Sequence, residues 1–309
     1  MYAEINNAQR VLFLRNGETM YTVTCESTCD LPYEYLQKRN CNVLIYSYFI
    51  GGDEFSDSMG RRKPALFQLY ENIATQKVTT SQLNVQQYED FFRAQLEQGD
   101  VLHLAFSSGL SQSIYNAKKA AENLAQEGLP HKVVVVDTLC GGGGYGMLVD
   151  AVLDERDSGA DFETLCNWVE ENKYHLHTYL FSINLAHFRK SGRINGLTAF
   201  VGNLLGICPV MYVNDSGKII AHEKAISERR ATERLLVNME KKADDGTNYS
   251  GKVWIQNSNC FALAAQTKLL LQARFPNVKS IHMLDVGTVM ACHCGPGTVA
   301  IYFWGKEPR

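Results

Sequence analysis

Apolar and polar positions alternate in blocks along this chain, and the blocks resolve into strands and helices by turns. Val101 to Phe106 and Lys132 to Asp137 are short apolar runs, the second almost all valine, as expected for parallel strands covered on both faces. Between them, Gln112 to Glu127 has helical periodicity and stops at Gly128-Leu129-Pro130. Asn84 with Gln87 three residues on fits a cap for a helix Val85 to Gln98 that Gly99 ends, leaving Thr79-Thr80-Ser81-Gln82 as polar residues the helix does not need. Upstream, Arg10 to Leu14 and Met20 to Cys25 flank Asn16-Gly17 as a hairpin, and Asn42 to Ile50 reads as one strand running into Gly51-Gly52. Ser27-Thr28-Cys29-Asp30-Leu31-Pro32 reads as a loop and helix start. The first half is therefore an α/β layer structure with a parallel sheet.

A helix follows the glycines at Gly141 to Gly146 and runs to about Asp157, and Ser158-Gly159-Ala160-Asp161 then breaks the chain. Beyond the break, Asp161 caps a helix Phe162 to Lys173. Strands are expected at His177 to Ile183, Ile207 to Val213, Ile219 to Ile226, Lys252 to Asn257, Ser280 to Val286 and Thr298 to Trp304. Helices at Glu228 to Ala243 and Phe261 to Phe275 fall between them. Asn214-Asp215-Ser216-Gly217 makes one antiparallel hairpin, so the second half is α+β with a mixed sheet. Two domains are expected, residues 1–158 (with 1–20 as an extra hairpin) and residues 159–309, in keeping with a length of 309 residues.

Composition narrows the partners more than the fold. A formal charge of -3 with acidic and basic residues spread along the chain leaves no footprint for nucleic acid or an anionic membrane. No stretch approaches the ~20 apolar residues of a membrane span, and no secretory leader is recognisable, so a cytoplasmic protein without integral membrane association is expected. The nine cysteines, an odd set without repeated spacing, then read as reduced thiols.

The candidate chemistry lies at the ends of strands. Ser107-Ser108-Gly109 sits where a buried strand becomes a helix, the edge of an α/β sheet at which ligands bind; alternatively Ser111 caps the helix and the other serines are connector. Thr80-Ser81 reaches the same edge if a short strand precedes it, or is an ordinary polar loop. Two hydroxyl loops at one edge suit a carboxylate. Near the C-terminus, Met290-Ala291-Cys292-His293-Cys294 precedes a Gly-Pro-Gly turn and places one histidine, able to carry a proton near neutral pH, on that turn. Arg193 serves the anion or the surface. Asn195 to Val213, rich in Leu, Val, Phe and Gly, is a core helix and strand or the wall of an apolar tunnel.

Three other readings are weaker. The Gly141 to Gly146 run contains GxGxxG but is not followed by a second strand ending in an acid, so close backbone packing explains it better than a dinucleotide. Cys292-His293-Cys294 is too tightly bunched to close a zinc site without a second pair of ligands, and no metal is expected. A serine acyl hydrolase (esterase or thioesterase) would use Ser108 and His293, although Gly109-Leu110-Ser111-Gln112-Ser113 misses the nucleophile-elbow pattern.

Taken together, Ser27-Thr28-Cys29-Asp30-Leu31-Pro32, Thr80-Ser81-Gln82, Ser107-Ser108-Gly109-Leu110-Ser111, Ser191-Gly192-Arg193-Ile194 and His293-Cys294-Gly295-Pro296-Gly297 resemble, in order, the motifs of the DegV family of bacterial fatty-acid-binding proteins, over about Tyr21 to Trp304. The resemblance implies a two-domain DegV-like fold, a parallel-sheet α/β N-terminal domain and an α+β mixed-sheet C-terminal domain. It implies a non-enzymatic lipid carrier of phospholipid metabolism, with a bound fatty acid as ligand and no cofactor. The carboxylate would lie between the domains on Thr80, Ser81, Ser107, Ser108 and His293, with Arg193 nearby. The acyl tail would lie in the C-terminal domain along Phe200, Leu204, Leu205, Ile207 and Val210. Some family members are the acyl-presenting subunit of a fatty acid kinase, which makes such a kinase a partner. The chain departs from the family pattern at Gln112-Ser113, at Thr138-Leu139-Cys140 with its glycines, and at Cys294.

Overall fold

The computed structural model describes residues 21–195 and 207–309. The expected hairpin of residues 1–20, and Phe200, Leu204 and Leu205 of the expected tunnel, lie outside the described residues.

Strand β1 (Tyr21–Glu26) passes through a short 3-10 turn, Ser27–Cys29, to helix α1 (Tyr33–Lys38) and strand β2 (Cys41–Leu44). Next come β3 (Ser47–Ile50), β4 (Asp53–Ser56), α2 (Lys63–Asn72), β5 (Val78–Thr80) and α3 (Val85–Leu96), then β6 (Asp100–Ala105), α4 (Ser113–Gln126) and β7 (Val133–Asp137). β2, β1, β6 and β7 form a four-stranded parallel sheet in that order. The Asn84–Gln87 capping box forms at α3, each side chain accepting the other residue's backbone N–H at 2.9 Å.

The run expected as one strand from Asn42 to Ile50 is divided between two sheets. Cys41–Leu44 pairs with β1, whereas Ser47–Ile50 pairs antiparallel with β4 and β5 in a separate three-stranded sheet. Continuous apolar character cannot mark a change of partner, because strands of either sheet bury similar residues. The same arrangement corrects the place of Thr80: its strand is part of this small antiparallel sheet, opposite Tyr48, and not of the parallel sheet's edge.

Helix α5 (Gly142–Asp157) contains the glycine run in its first turns. A Cβ at Gly143 would lie 2.6 Å from the Tyr302 ring, and one at Gly146 2.5 Å from the Cys29 carbonyl. The glycines therefore let the helix approach the C-terminal sheet and the 3-10 turn, and leave no open phosphate loop. α6 (Phe162–Asn172) comes after the expected domain break yet packs on β6 and β7 of the parallel sheet.

The remaining elements are β8 (Leu176–Ser182), α7 (Ala186–Ser191), β9 (Ile194–Asn195), β10 (Cys208–Val213), β11 (Ile219–Ala225), α8 (Glu228–Lys242), β12 (Lys252–Ser258), α9 (Phe261–Arg274), β13 (Ser280–Asp285), α10 (Thr288–Cys294) and β14 (Thr298–Trp304). Their strands form a seven-stranded mixed sheet, β13-β12-β14-β8-β10-β11-β9. One face is covered by α8 and α9 over a core that includes Phe181, Val210, Leu235, Ile255 and Phe303. The other face shares a core with the parallel-sheet layer, in which Val23, Leu104, Leu148, Leu180, Trp254 and Tyr302 are members of one cluster. That shared core is where the cavity described next is found.

Candidate functional site

α10 carries the histidine. His293 falls in the last turn of this seven-residue helix, not on the loop expected from the sequence, and Gly295-Pro296-Gly297 follows it. Gly297 has φ +94°, and a Cβ there would lie 2.5 Å from Ile183. Its N–H donates to the Ser258 carbonyl at 2.6 Å and its carbonyl accepts from the Ile183 N–H at 2.9 Å, which ties the helix end to β12 and β8. At the other end, the Thr288 hydroxyl donates to the Asp57 carboxylate at 2.8 Å.

α10 packs on β5 and β3, and that contact brings the two halves of the chain together at the site. Thr80 Oγ1 lies 2.9 Å from His293 Nε2. Burial pushes the imidazole down to about 4, and the positive charge of Arg193 adds to the effect. The ring is therefore neutral at pH 7, and it meets an anion as an N–H donor rather than as a fixed cation.

His293 and Thr80 stand in the wall of a cavity of about 130 Å³ between the two layers. Its polar end holds Thr80, Ser81, Gln82, Ser111, Arg193 and His293, of which Ser81, Gln82 and Arg193 are exposed. Inward the wall is largely apolar, with Leu180, Phe188, Val213, Ile219, Val289 and Ala300. Thr28, Tyr46, Gln256 and Tyr302 also line it. The cavity thus combines an open polar mouth with an enclosed apolar interior.

The structure brings Thr80, Ser81, Arg193 and His293 to one cavity, but Ser107 and Ser108 are not among its lining residues. Ser107 is fully buried, and its hydroxyl donates to the Gly217 carbonyl at 2.8 Å. The Ser108 N–H donates to the Asp137 carboxylate at 3.2 Å. The Ser-Ser-Gly loop is thus the seat on which the β10–β11 turn rests, and Ser111, four residues on from Ser107, faces the cavity. Ser111 also accepts the Ser113 N–H at 3.2 Å in the turn that leads into α4, whose N-cap is Gln112 without a side-chain cap, so the serine does not cap the helix as one reading of the sequence had it.

Two expected tunnel residues also fall elsewhere. Val210 is fully buried in the core beneath α8 and α9, on the opposite face of the sheet, and Ile207 is not among the lining residues. Side chains alternate along a strand, so on β10 the cavity receives Val213, three residues on and of opposite parity. Tyr46, Tyr302 and Gln256 were not singled out by sequence, and Thr28, although part of the first family motif, was not assigned to the site. Thr28 sits in a stretch that reads as a helix start, and Tyr302 and Gln256 sit in strands whose inward face cannot be assigned without the partner sheet.

Flanking His293, Cys292 donates to the Thr288 carbonyl at 3.2 Å and Cys294 to the Ser258 hydroxyl at 3.5 Å. Both thiols are pushed up by burial, Cys294 to about 12, and both are used in packing the helix. Among the described residues no group of three His, Cys, Asp or Glu side chains could hold a metal ion. No helix among them is long and apolar enough to cross a membrane.

Residues 20–306 match the family model described as "Uncharacterised protein, DegV family COG1307". The chain belongs to the DegV family. A DegV domain-containing protein of Clostridium perfringens is 30% identical over 294 residues, which span 93% of this chain and 99% of its own length. Solved DegV structures share the fold. A fatty-acid-binding DegV family protein from Thermus thermophilus has a TM-score of 0.82 at 24% identity, over 93% of this chain and 99% of its own. A fatty-acid-binding DegV family protein from Streptococcus agalactiae has a TM-score of 0.79 at 25% identity, over the same shares of 93% and 99%. A DegV family protein from Eubacterium eligens, solved with heptadecanoic acid, has a TM-score of 0.79 at 15% identity, over 93% and 100%.

Proposed function

We propose that this protein binds one long-chain fatty acid, with its carboxylate at the polar mouth and its acyl tail in the apolar interior. The observation that carries the reading is a single cavity joining the Thr80–His293 pair to a wall of Leu180, Phe188, Val213 and Ile219. Burying the tail contributes about 0.8 kcal/mol per methylene, so a sixteen-carbon chain supplies on the order of 10 kcal/mol before ordering costs. The carboxylate opposes burial unless donors satisfy it, and Thr80, Ser81, His293 and Arg193 are placed to do so. Fatty acid binding by the relatives from Thermus thermophilus and Streptococcus agalactiae supports the same reading.

Mass spectrometry of an organic extract of the purified protein is expected to recover stoichiometric fatty acid. No fatty acid in the extract, together with no binding of added oleate or palmitate, would overturn the proposal. His293→Ala is expected to weaken palmitate binding about tenfold, and hexadecanol binding less, since only the acid presents a charge. Equal losses for both ligands would mean that His293 acts through packing alone.

Two finer parts belong to the same proposal. The protein acts as a non-catalytic carrier: Ser108 does not share the cavity with His293, so the hydrolase reading lacks its nucleophile. It presents the head group to a separate kinase. The glycine run is taken up in packing α5, and the polar mouth exposes Ser81, Gln82 and Arg193 to an incoming protein. Turnover of short acyl esters by the purified chain would contradict the first part. Failure of an added fatty acid kinase and ATP to phosphorylate the bound acid would contradict the second.

A further inference from the structure

The hydroxyls around the polar end of the cavity differ in how far their hydrogen bonds are already committed. Ser111 donates to Ser113 at 3.2 Å, and Ser113 and Tyr46 share a hydrogen bond at 2.5 Å. Tyr46 has the buried Glu26 carboxylate 3.4 Å away, and Glu26 also accepts from the Phe106 N–H at 3.0 Å and from Tyr88. Ser111 thus donates to Ser113 and Tyr46 to Glu26, so the hydrogens of these two hydroxyls are engaged within the protein. Elsewhere in the cavity wall, Tyr302 donates to Gln256 at 2.7 Å and Thr298 to Ser182 at 3.0 Å.

Thr28 is different. It lines the cavity, it is 1% exposed, and its Oγ1 has no hydrogen-bond partner among the described residues. A buried hydroxyl without a partner is costly, so such a group calls for an explanation. Its neighbours tie it to the head-group cluster: Ser27 Oγ accepts the Tyr46 N–H at 3.1 Å, the Ser81 N–H donates to the Ser47 carbonyl at 3.4 Å, and Thr80 pairs with Tyr48. One short stretch, Tyr46 to Tyr48, therefore has Thr28's neighbour on one side and Thr80-Ser81 on the other.

We propose that Thr28 is a further ligand of the fatty acid's head group, its hydroxyl donating to the carboxylate opposite the Thr80–His293 pair. The assignment rests on the fatty-acid reading of the cavity and adds to it a donor that Ser111, committed to Ser113, does not supply. It also accounts for a buried orphan hydroxyl in the wall, since the bound acid provides the missing acceptor. Thr28→Val keeps the shape and removes the donor, and Thr28→Ser keeps the donor.

The test is calorimetric titration of palmitate and hexadecanol into delipidated wild type, Thr28→Val and Thr28→Ser, with the melting temperature of each delipidated protein measured alongside. Thr28→Val is expected to lose about tenfold in palmitate affinity and less for hexadecanol, as for a hydrogen bond to a charged group, with no fall in melting temperature. Thr28→Ser is expected to stay within about twofold of wild type. Unchanged palmitate affinity in Thr28→Val, equal losses for both ligands, or a lowered melting temperature would each overturn the assignment. A wild type that binds no palmitate would bring down the fatty-acid reading together with it, whereas a wild type that binds and an unaffected variant would bring down this inference alone.

Discussion

At the scale of single residues, the state of His293 follows from where α10 places it. Its imidazole is pushed down to about 4, chiefly by burial, while a histidine in the unfolded chain titrates near 6.5. Between those values the unfolded chain binds the proton and the folded one does not, so stability falls as the pH drops from about 6.5 toward 4. His177, also pushed down to about 4 by burial, contributes in the same window. Asp30 and Asp57, whose carboxyls burial pushes up, act in the opposite direction. His293→Gln is therefore expected to flatten part of the slope without abolishing it, which urea midpoints at pH 7 and pH 4.5 would report. An unchanged slope would mean that the ring is not held neutral in the fold. His293 itself was legible in the sequence as a candidate, because a histidine beside Gly-Pro-Gly is conspicuous. Its depressed pKa was not, since desolvation is set by β5 and β3, elements more than two hundred residues away along the chain.

At the scale of elements, α5 shows what a glycine run is for. Gly143 and Gly146 let the helix approach Tyr302 and the Cys29 carbonyl more closely than any Cβ would allow. Gly143→Ala is expected to destabilise the protein by about 1–3 kcal/mol through overpacking, read as a lower melting temperature. A neutral outcome would show that the Tyr302 ring moves aside freely. The turn between β10 and β11 makes a similar demand: Gly217 has φ +68°, and a Cβ there would lie 2.1 Å from Ser107 Oγ. Gly217→Ala should therefore loosen the Ser107 seat and lower stability, and limited proteolysis near Asn214 should become faster; an unaltered cleavage rate would count against that role. Most strands and helices could be read from periodicity and caps, as the Asn84–Gln87 box illustrates. The division of residues 41–50 between two sheets could not, nor could the antiparallel setting of Thr80, because strand partners lie far apart in sequence.

At the scale of the whole molecule, the core that includes Val23, Leu148, Leu180 and Tyr302 passes from the parallel sheet to the mixed sheet without a break. α6, beyond the expected break at residue 158, packs back on β6 and β7. Unfolding is expected to be one cooperative transition, with coincident curves by calorimetry and near-ultraviolet dichroism; two separated transitions would show that the layers fold independently. On the proposed function, palmitate at about a hundred times its Kd should raise stability by about 2.7 kcal/mol, and an unchanged melting temperature would count against it.

By itself the sequence determined the class of fold and the identity of the family. Those properties are written in local signals: hydrophobic period, caps, turn residues and short motifs. Only the tertiary structure decided which hydroxyls reach the cavity, that Ser107 supports a turn while Ser111 and Thr28 face the interior, and that Val213 rather than Val210 lines the wall. The physical reason is parity and partnership. A side chain's face is fixed by the register of strands brought together from distant parts of the chain, and a shift of one residue moves it from ligand cavity to core.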